Sequence, residues 1–541
     1  MFRPWAGTLA LAACVGLLAQ TTGPGPRLVT YLSPVDDTEQ PYSLYVPPSL
    51  EPGRKYPLVI SLHAEDTSPQ ICLMRVFGQQ SRVADGSLAP LRFFRPRDVG
   101  FLVACPQARG TMGYQGIAEH DVYDVLADIE RKFPVDPDRV YLTGISMGGS
   151  GALALAFTRP DLWAAVAPVA PVAAPNLEPL AANALDLPIR FFHGDQDPIN
   201  PVEVSRQWQR RLLDLGDPVE YVEYPAARHN AWDYAYRNGA IFEWFSQFRR
   251  NRFPPRVRFS TTAYRYSSAY WVRMDLFTPG VAASVDARLT GTTQVSVATE
   301  NLDGFTLTLD HPVSAAIIDG ATIRVPAAST VAFHKQSGKW TRGAAPASPK
   351  NQASEGPIAE AVATRHMYVY GTAGDPGSEE LAERRRIAES AANWSTPRER
   401  LQLRWAVKAD TEVTEQDLER DNLVLFGTPE TNSLIARFAG RFPMALSPGA
   451  ADYGLLFIAP IGPHYALVNS GLPWWTGAED AGRTYDHFQP PRIAELATFG
   501  DYVVFKGALG HVVAEGRFGR DWKLSPLDAA KLTAGGVITI P

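Results

Sequence analysis

Gly144-Ile145-Ser146-Met147-Gly148 is the stretch that decides how the first half of this chain folds. Residues 139–143 (RVYLT) precede it and residues 149–157 (GSGALALAF) follow it, which predicts a strand, a sharp turn and a helix with Ser146 at the turn. Such a turn strains the serine backbone, and the glycines let the helix pass close to the strand. Free N–H groups at the helix N-terminus favour a developing negative charge there. The pattern predicts a nucleophilic serine; the alternative is a glycine-rich turn that only packs the helix.

Two later segments place an acid and a base after predicted strands. Residues 188–194 (PIRFFHG) predict a buried strand that ends before Asp197, and residues 219–224 (VEYVEY) predict a strand that ends before His229. Ser146, Asp197 and His229 follow one another in the order serine, acid, histidine. Each lies just past the carboxyl end of a predicted strand, which is where open α/β sheets bind ligands. The order and the placement predict a catalytic triad.

The choice of acid falls between two aspartates in one loop. Asp197 is favoured because it lies beyond the strand, whereas Asp195 is closer to the strand end and is suited to capping the turn. We expect His229 to take the proton of Ser146 during attack, and the aspartate to fix the tautomer of His229 and stabilise its imidazolium form. The alternative for His229 is an ordinary histidine of a surface loop.

Several motifs together resemble the single-domain esterases of the α/β-hydrolase superfamily. Besides the serine turn, the matching stretches are residues 58–63 (LVISLH), 105–110 (CPQARG), 136–144 (DPDRVYLTG), 193–198 (HGDQDP) and 229–233 (HNAWD). The resemblance is to the group of poly(3-hydroxybutyrate) depolymerase-like and feruloyl esterase-like enzymes, often labelled prolyl oligopeptidase-family hydrolases. It implies an α/β-hydrolase domain over residues 28–252 that hydrolyses small or polymer-linked carboxylic esters without cofactor or metal.

The loop after the third strand departs from that family. The family usually has His-Gly where this chain has His63-Ala64-Glu65, and the loop supplies one of two oxyanion donors. We expect the backbone N–H groups of Met147 and Glu65 to be those donors. Ala64 reaches glycine-only backbone angles less easily, and an inward acidic side chain would disfavour an oxyanion. Because loss of one donor slows other enzymes about 100- to 1000-fold, the departure bears on efficiency or substrate more than on mechanism.

Composition bounds the class of protein. A chain of 541 residues predicts two to four domains, and its hydrophobic and charged fractions of 45% and 20% are ordinary for globular proteins. A net charge of −6 and the lack of a long basic run give no reason to expect a nucleic-acid partner.

The N-terminus reads as a targeting segment. Arg3 is followed by an apolar run over residues 9–19 that is too short to span a bilayer comfortably, and polar and Pro/Gly residues then break it. We predict a signal peptide over residues 1–19 and export to the periplasm or the medium, with no transmembrane segment. The alternative is a lipoprotein box, residues 11–14 (LAAC), which would leave Cys14 lipidated.

Two cysteines remain after Cys14, and they do not make a disulfide framework. Cys105 ends an apolar run, so a buried free thiol is expected there, with a Cys72–Cys105 disulfide as the alternative. The sequence shows no cysteine and histidine cluster with metal-ligand spacing, so no metal site is predicted. Between residues 165 and 187 the chain has only a short Ala/Pro-rich segment, which predicts an open pocket without a large lid.

Two further domains are predicted beyond the hydrolase region. Short alternating runs separated by Gly, Asp and Asn predict a small all-β domain over residues 255–342. Residues 343–357, rich in Ala, Pro, Ser and Gly, predict a linker. Helix and strand patterns alternate again over residues 358–541, which predicts a second α/β domain, flavodoxin-like or Rossmann-like, whose role the sequence leaves open.

Two features of the C-terminal region invite a ligand, and each has a plainer reading. Residues 371–377 (GTAGDPG) are glycine-rich after a predicted strand but fit neither nucleotide-binding fingerprint, so a plain turn is favoured. Trp474 and Trp475 could stack on sugar rings, whereas core packing is the favoured reading.

The leading hypothesis is an exported serine esterase that forms an acyl-enzyme on Ser146. One alternative is a serine peptidase of the prolyl oligopeptidase type with the same triad, although we do not expect the large N-terminal propeller of those peptidases before the hydrolase region. Another is a non-catalytic carbohydrate-binding pseudohydrolase that contacts polysaccharide through its C-terminal domains. The Ala64 departure is the only support for that last reading.

Overall fold

The structure, a computed structural model, describes residues 23–65, 67–79, 94–394, 403, 405–483 and 488–540. The predicted signal peptide, residues 1–19, and Cys14 therefore lie outside the described residues. The described chain divides into two compact units. The first runs to Arg252 apart from two short segments, residues 34–36 and 115–117, which belong with residues 253–540 in the second.

Eight strands form the sheet of the first unit, in the order β1-β2-β4-β3-β5-β6-β7-β8. They are β1 Gly25–Leu32, β2 Glu39–Val46, β3 Tyr56–Leu62, β4 Leu102–Pro106, β5 Val135–Ile145, β6 Ala165–Val169, β7 Ile189–Gly194 and β8 Val219–Tyr224. β1, β2 and β4 pair antiparallel, whereas β4, β3, β5, β6, β7 and β8 run parallel. β3 (YPLVISL) is buried along its length, as expected of a strand in a parallel sheet covered on both faces. The carboxyl ends of the parallel strands therefore share one edge.

Helices follow or precede most of these strands. They are α1 Pro69–Val76, α2 Ile117–Lys132, α3 Met147–Thr158, α4 Glu203–Leu215, α5 Trp232–Ala235 and α6 Ala240–Phe245. α3 carries no charged residue and is buried on most sides, because it packs against β5 and β6. The fold is of the predicted α/β class. Between β6 and β7, where the sequence predicted only a short segment without a large lid, the chain forms a ten-residue 3₁₀ helix, Pro175–Ala184.

The two cysteines of this unit are buried free thiols. Cys72 on α1 and Cys105 on β4 are at most 1% exposed, and their sulfur atoms lie 2.6 Å apart. The thiol of Cys72 also lies 3.2 Å from the backbone oxygen of Ser61.

A largely antiparallel sheet opens the second unit. Its strands are β9 Arg256–Thr261, β10 Ser268–Ala269, β11 Val272–Phe277, β12 Ala283–Leu289, β13 Gln294–Glu300, β14 Leu302–Ile318, β15 Ala321–Gln336 and β16 Lys339–Arg342. The order is β10-β11-β14-β13-β12-β9, with β15 pairing β14 and β16, and only β13 and β14 run parallel. Burial alternates residue by residue along β9, which is the pattern of a sheet with one covered face.

A seven-stranded mixed sheet follows, in the order β18-β17-β19-β22-β21-β23-β24. Its strands are β17 His366–Tyr370, β18 Val407–Ala409, β19 Asn422–Phe426, β21 Tyr453–Pro460, β22 Tyr465–Gly471, β23 Tyr502–Lys506 and β24 Val512–Gly516, while β20 Ala445–Leu446 pairs with β25 Ile538–Thr539. The helices are α7 Ser378–Ala392, α8 Glu415–Arg420, α9 Ser433–Phe438, α10 Pro491–Leu496 and α11 Pro526–Ala534.

Only half of this sheet matches a flavodoxin-like or Rossmann-like layer. β18, β17, β19 and β22 run parallel, but β22, β21, β23 and β24 pair antiparallel. The reason is local: a short turn, in which the N–H of Ile461 donates to the oxygen of His464, joins β21 to β22. A connection this short joins antiparallel strands only, since a parallel pair needs a long crossover.

The stretch expected to be a linker, residues 343–357, is instead packed into the second unit. Lys350 is fully buried, and its ammonium group pairs with the equally buried carboxylate of Asp501. The same ammonium lies 4.4 Å from the centre of the Trp522 ring. A buried charge needs such partners, so this segment has a defined position rather than a connecting role.

Glu355 ties the same stretch to both sheets of the unit. Its carboxylate, in a residue 2% exposed, accepts hydrogen bonds from the N–H groups of Tyr264 and Arg265, which lie between β9 and β10. Its own N–H donates to the hydroxyl of Tyr465 on β22 at 2.7 Å. Residues 253–540 therefore form one compact unit where two linked domains were expected. Composition did not reveal this because the partners of Glu355 are about a hundred residues away in sequence.

Candidate active site

Ser146 lies at a strained turn between β5 and α3. Its φ of 56° and ψ of −115° are unusual for a residue with a side chain, and such strain is typical of functional sites. A Cβ atom at Gly148 would lie 2.4 Å from the backbone oxygen of Leu62, and one at Gly144 would lie 2.1 Å from the oxygen of Gly148. The N–H of Ser146 donates to the oxygen of Val169 at the end of β6. The glycines of the predicted turn are therefore required by the close approach of helix and strand.

The loops after β7 and β8 bring the other two predicted residues to Ser146. The Nε2 atom of His229 lies 3.1 Å from the Oγ atom of Ser146, and its Nδ1 atom lies 2.7 Å from Oδ2 of Asp197. Ser146 is 8% exposed, the Asp197 side chain is buried and the His229 side chain is 22% exposed. A hydroxyl, an imidazole and a carboxylate in this arrangement can move a proton from Oγ to Nε2 while the carboxylate stabilises the imidazolium.

Asp195 takes a different position from Asp197. Its N–H donates to the oxygen of Tyr224 at the end of β8, at 3.2 Å, so the residue continues the pairing of β7 with β8. The carboxylate that meets His229 is that of Asp197, two residues further into the loop.

The Asp197 carboxylate is held ionised by its surroundings. Burial by itself would raise its pKa, but hydrogen bonds from His193 and His229 and from the N–H groups of Ile199 and Asn200 outweigh burial and lower the pKa well below its usual range. Both backbone bonds go to Oδ1, at 2.9 and 3.0 Å, which leaves Oδ2 for the two imidazoles. The acid therefore stays an acceptor at any pH at which an enzyme would work.

His193 is a residue of this site that sequence reasoning missed. It was assigned only to the end of a strand, yet its Nε2 atom lies 3.0 Å from the oxygen of Asn200 and 3.3 Å from Oδ2 of Asp197. Its Nδ1 atom lies 2.8 Å from the Oγ atom of Ser205 on α4. The one signal in the sequence was a histidine four positions before the acid, and it did not reveal Ser205.

The candidate oxyanion donors lie on two different elements. Met147 is the first residue of α3, so its N–H has no partner within the helix. Glu65 follows β3 and is half-buried, while Asp66, next to it, lies outside the described residues. Both the N–H and the hydroxyl of Thr67 donate to the oxygen of Ala64, which fixes the loop ahead of α1. The role of the Glu65 N–H stays a prediction.

The buried ring of His63 contacts the backbone at the start of the Glu65 loop. It is 1% exposed, and its Nδ1 and Nε2 atoms lie 2.8 and 2.9 Å from the oxygens of Ala64 and Gln107. Burial lowers the pKa of His63, which favours the neutral ring. The hydroxyl of Tyr114 donates to the backbone oxygen of His63 at 3.0 Å. These contacts hold the segment that departs from the family pattern.

Trp232 packs beside the candidate histidine, His229. Its ring meets the His229 ring edge-on, with centroids 5.4 Å apart, and the guanidinium of Arg75 lies 4.9 Å from the Trp232 ring centre. The carboxylate of Asp233 accepts a hydrogen bond from the Asn230 side chain. The His229 loop is therefore braced by an aromatic ring and by its own polar side chains.

The two tryptophans considered for sugar stacking, Trp474 and Trp475, contact other residues of the protein. Trp474 is fully buried, and its indole N–H donates to the oxygen of Arg492. Trp475 meets the guanidinium of Arg492 on its face, at 4.4 Å from the ring centre. Within the part of the chain that the structure describes, no group of three or more His, Cys, Asp and Glu side chains could hold a metal ion. The same residues contain no helix of the length and apolarity needed to cross a membrane.

A comparison with known protein families gives a match that lies mostly in the first unit. Residues 34–213 match the model of the esterase family described as "Putative esterase". For this part of the chain the match confirms the predicted resemblance to serine esterases of the α/β-hydrolase superfamily. The matched segment includes Ser146 and Asp197 and ends before His229.

Individual relatives resemble only part of the chain. The bifunctional acetylxylan esterase/xylanase XynS20E of Neocallimastix patriciarum is 28% identical over 160 residues, which make up 29% of this chain and 21% of that protein. The chain thus spans about a fifth of the length of this curated relative. Among solved structures, a thermostable esterase is 26% identical with a TM-score of 0.33, over 42% of this chain and 63% of that one. A ferulic acid esterase from Anaeromyces mucronatus is 19% identical with a TM-score of 0.30, over 40% and 92%.

Proposed function

We propose that this protein is an exported serine hydrolase that cleaves carboxylic esters through an acyl-enzyme on Ser146. The observation that carries the proposal is the continuous chain of contacts from Ser146 Oγ through His229 to Asp197, with distances of 3.1 and 2.7 Å. These are hydrogen-bond distances in which each group faces the one that its chemistry requires. The family match over residues 34–213 supports an ester as the bond that is cleaved.

The reaction proceeds in two half-reactions. Ser146 Oγ attacks the ester carbonyl while its proton passes to His229 Nε2, and the imidazolium then protonates the departing alcohol as the acyl–Oγ bond remains. In the second half, His229 takes a proton from water, the water oxygen attacks the acyl carbon, and the proton returns to Ser146 Oγ as the acid leaves. Asp197 stays ionised throughout and stabilises the imidazolium at Nδ1. This chemistry calls for neither cofactor nor metal.

The negative charge of each tetrahedral intermediate would fall on the carbonyl oxygen. The N–H of Met147 is the donor with the stronger support, because it opens α3 directly beside Ser146. The N–H of Glu65 is the proposed second donor, from the loop that Thr67 and His63 hold. A weaker second donor would lower the rate without changing the chemistry.

The substrate class is proposed from the partial relative and from the predicted export. An ester on a small molecule or on a polymer fits an exported enzyme, and the partial relative from Neocallimastix is named for esters on xylan. Export is proposed from the apolar run over residues 9–19, with cleavage near Ala19 and lipidation of Cys14 as the alternative. A contact with polysaccharide through residues 255–541 stays a proposal without a specific contact to support it.

Ser146→Ala tests the proposal. We expect the variant to lose turnover of short-chain aryl esters by about 10⁶-fold and to lose labelling by a fluorophosphonate probe, because only Oγ forms the covalent bond. Ser150→Ala is the matched control, since Ser150 lies one turn later on α3 and its hydroxyl donates to the oxygen of Val172. The control should keep both activities.

Three outcomes separate the proposal from its alternatives. Ester turnover by Ser146→Ala at the wild-type rate would contradict it. Cleavage of a panel of short peptides in preference to esters would favour the peptidase reading. If the wild-type protein neither turns over esters nor reacts with the probe, the result would favour the alternative of a non-catalytic pseudohydrolase.

A further inference from the structure

A hydrogen-bonded chain continues behind Asp197, away from Ser146. His193, the next-to-last residue of β7, is fully buried and stands between Asp197 and Ser205 of α4, which is also fully buried. Both of its ring nitrogens have a polar atom within reach. A buried histidine with each nitrogen placed in this way is held in one orientation.

The partners of His193 decide its tautomer. Nε2 faces two atoms that only accept hydrogen bonds, the Asn200 carbonyl oxygen at 3.0 Å and Asp197 Oδ2 at 3.3 Å. Nε2 must therefore carry the proton, because a lone pair there would face two other lone pairs. In the neutral ring Nδ1 is then the acceptor, and the hydroxyl of Ser205, 2.8 Å away, donates to it.

His193 reaches Asp197 by two routes. The direct route is the contact of Nε2 with Oδ2, the same oxygen that accepts from His229 Nδ1 at 2.7 Å. The indirect route runs through Asn200, whose oxygen His193 binds and whose N–H donates to Asp197 Oδ1 at 3.0 Å. Both routes fix the rotation of the Asp197 carboxylate.

We propose that His193, whose Nε2–H faces Asn200 and Asp197 and whose ring is held in place at Nδ1 by the Ser205 hydroxyl, is a positioning residue that holds the Asp197 carboxylate against His229. This inference deepens the proposed function and depends on it. His193 touches neither substrate nor Ser146, so it acts only through Asp197. Without it, the carboxylate keeps its two backbone hydrogen bonds at Oδ1 but loses the second donor at Oδ2.

His193→Leu removes the donor, and His193→Gln is the conservative variant because its amide N–H can reach the place of Nε2. For His193→Leu we expect kcat to fall about 10- to 100-fold with KM within about twofold, since a misplaced catalytic group slows the chemical step. His193→Gln should recover at least about a third of wild-type kcat. Equal losses in the two variants, with the melting temperature falling in both, would assign His193 a purely structural role.

A double-mutant cycle shows whether His193 acts through Asp197. In an Asp197→Asn background the leucine substitution should lower the fluorophosphonate labelling rate by less than about twofold, because its target is already lost. An unchanged 10- to 100-fold loss in that background would overturn the proposal. So would wild-type kcat in His193→Leu.

Ser205→Ala keeps the test decisive if His193→Leu does not fold. Loss of the hydroxyl leaves the buried Nδ1 atom of His193 without its donor and loosens the ring, and we expect kcat to fall about three- to tenfold with KM unchanged. Ser43→Ala is the control: it removes another fully buried hydroxyl of the first unit, on β2, and should leave kcat as in wild type. Equal kcat in Ser205→Ala and Ser43→Ala would contradict the role of Ser205 in holding the His193 ring. Ser146→Ala in the same series separates the two failures, because activity in that variant would refute the proposed function itself.

Discussion

In each unit, the carboxyl ends of parallel strands lie at one edge of a sheet, but the loops at the two edges bring different side chains together. In the first unit, the loops after β5, β7 and β8 bring Ser146, Asp197 and His229 together with the His229 side chain 22% exposed. In the second, the loops after β17 and β19 are bridged by Arg384, which donates to the oxygens of Gly371, Ala373 and Thr431. The glycine-rich turn considered as a phosphate loop is therefore filled by a side chain of its own unit.

A buried aspartate lies at each edge, and its partners account for the difference. Asp410 accepts from the N–H and hydroxyl of Thr372 and from the N–H of Ser433. As at Asp197, burial by itself would raise the pKa of Asp410, but the hydrogen bonds that its carboxylate accepts outweigh burial and lower the pKa. The partners of Asp410 are the hydroxyl and amide groups of Thr372 and Ser433, which do not connect it to a nucleophile and base. Asp197, in contrast, accepts from His229, whose other ring nitrogen lies beside the Ser146 hydroxyl. A carboxylate at a sheet edge becomes part of a candidate site through what its partner touches next.

Substitution of the two aspartates by asparagine should separate these roles most strongly. Asp197→Asn should lower kcat by about 10⁴-fold, because asparagine presents a donor to His229 Nδ1 and favours the wrong tautomer. Asp410→Asn should leave kcat/KM within twofold and lower the free energy of unfolding by about 2 kcal/mol. Steady-state ester kinetics and urea unfolding of both variants measure the contrast. Similar kinetic losses in both would erase the distinction between the edges.

Glu355 gives the second unit a pH dependence that Asp197 does not share. Burial, stronger than the hydrogen bonds from Arg265 and Tyr264, raises the pKa of Glu355 to about 7 from an ordinary 4.5. The folded state then holds a proton that the unfolded state has lost, so stability is full below pH 4.5 and declines as the pH rises to about 7. The wild-type free energy of unfolding should fall by about 3 kcal/mol relative to Glu355→Gln across this range. Urea unfolding at several pH values measures it, and parallel curves for the two proteins would contradict it.

The smallest effect is expected at Arg384. Arg384→Met leaves the backbone oxygens of Gly371, Ala373 and Thr431 without their donor, and we expect about 2 kcal/mol lower stability with unchanged ester turnover. Arg385→Met is the control, because the pair of Arg385 with Glu389 lies on the surface, where an ion pair contributes little to stability. Thermal unfolding and ester assays on both variants test this. Loss of turnover in Arg384→Met would give the second edge a role in the reaction.

Much of the candidate site could be predicted because its signals are local. The glycines on either side of Ser146 mark a turn in which helix and strand nearly touch, and that constraint acts on adjacent residues. Asp197 and His229 could be chosen because each follows a run of strand-forming residues, and parallel strands end at a common edge. Their meeting with Ser146 then follows from the sheet order.

Other features depended on partners far away in the sequence. Lys350 and Glu355 lie in a stretch with the composition of a linker, and only Asp501 and Tyr465 give them buried positions. His193 looked like the end of a strand because Ser205, which orients it, comes from the next helix. The antiparallel half of the mixed sheet was missed because helix and strand periodicity do not report strand direction.

By itself, the sequence determined most of the elements and the three candidate side chains of the site, since backbone strain, hydrophobic periodicity and chain order are properties of neighbouring residues. The tertiary structure decided the 3.1 and 2.7 Å distances that join Ser146, His229 and Asp197, and the contacts by which Ser205 and His193 meet behind Asp197. It also decided that the other sheet edge is closed by Arg384. Hydrogen bonds of this kind require atoms to meet within about 3 Å, and only the packing of distant segments sets that distance.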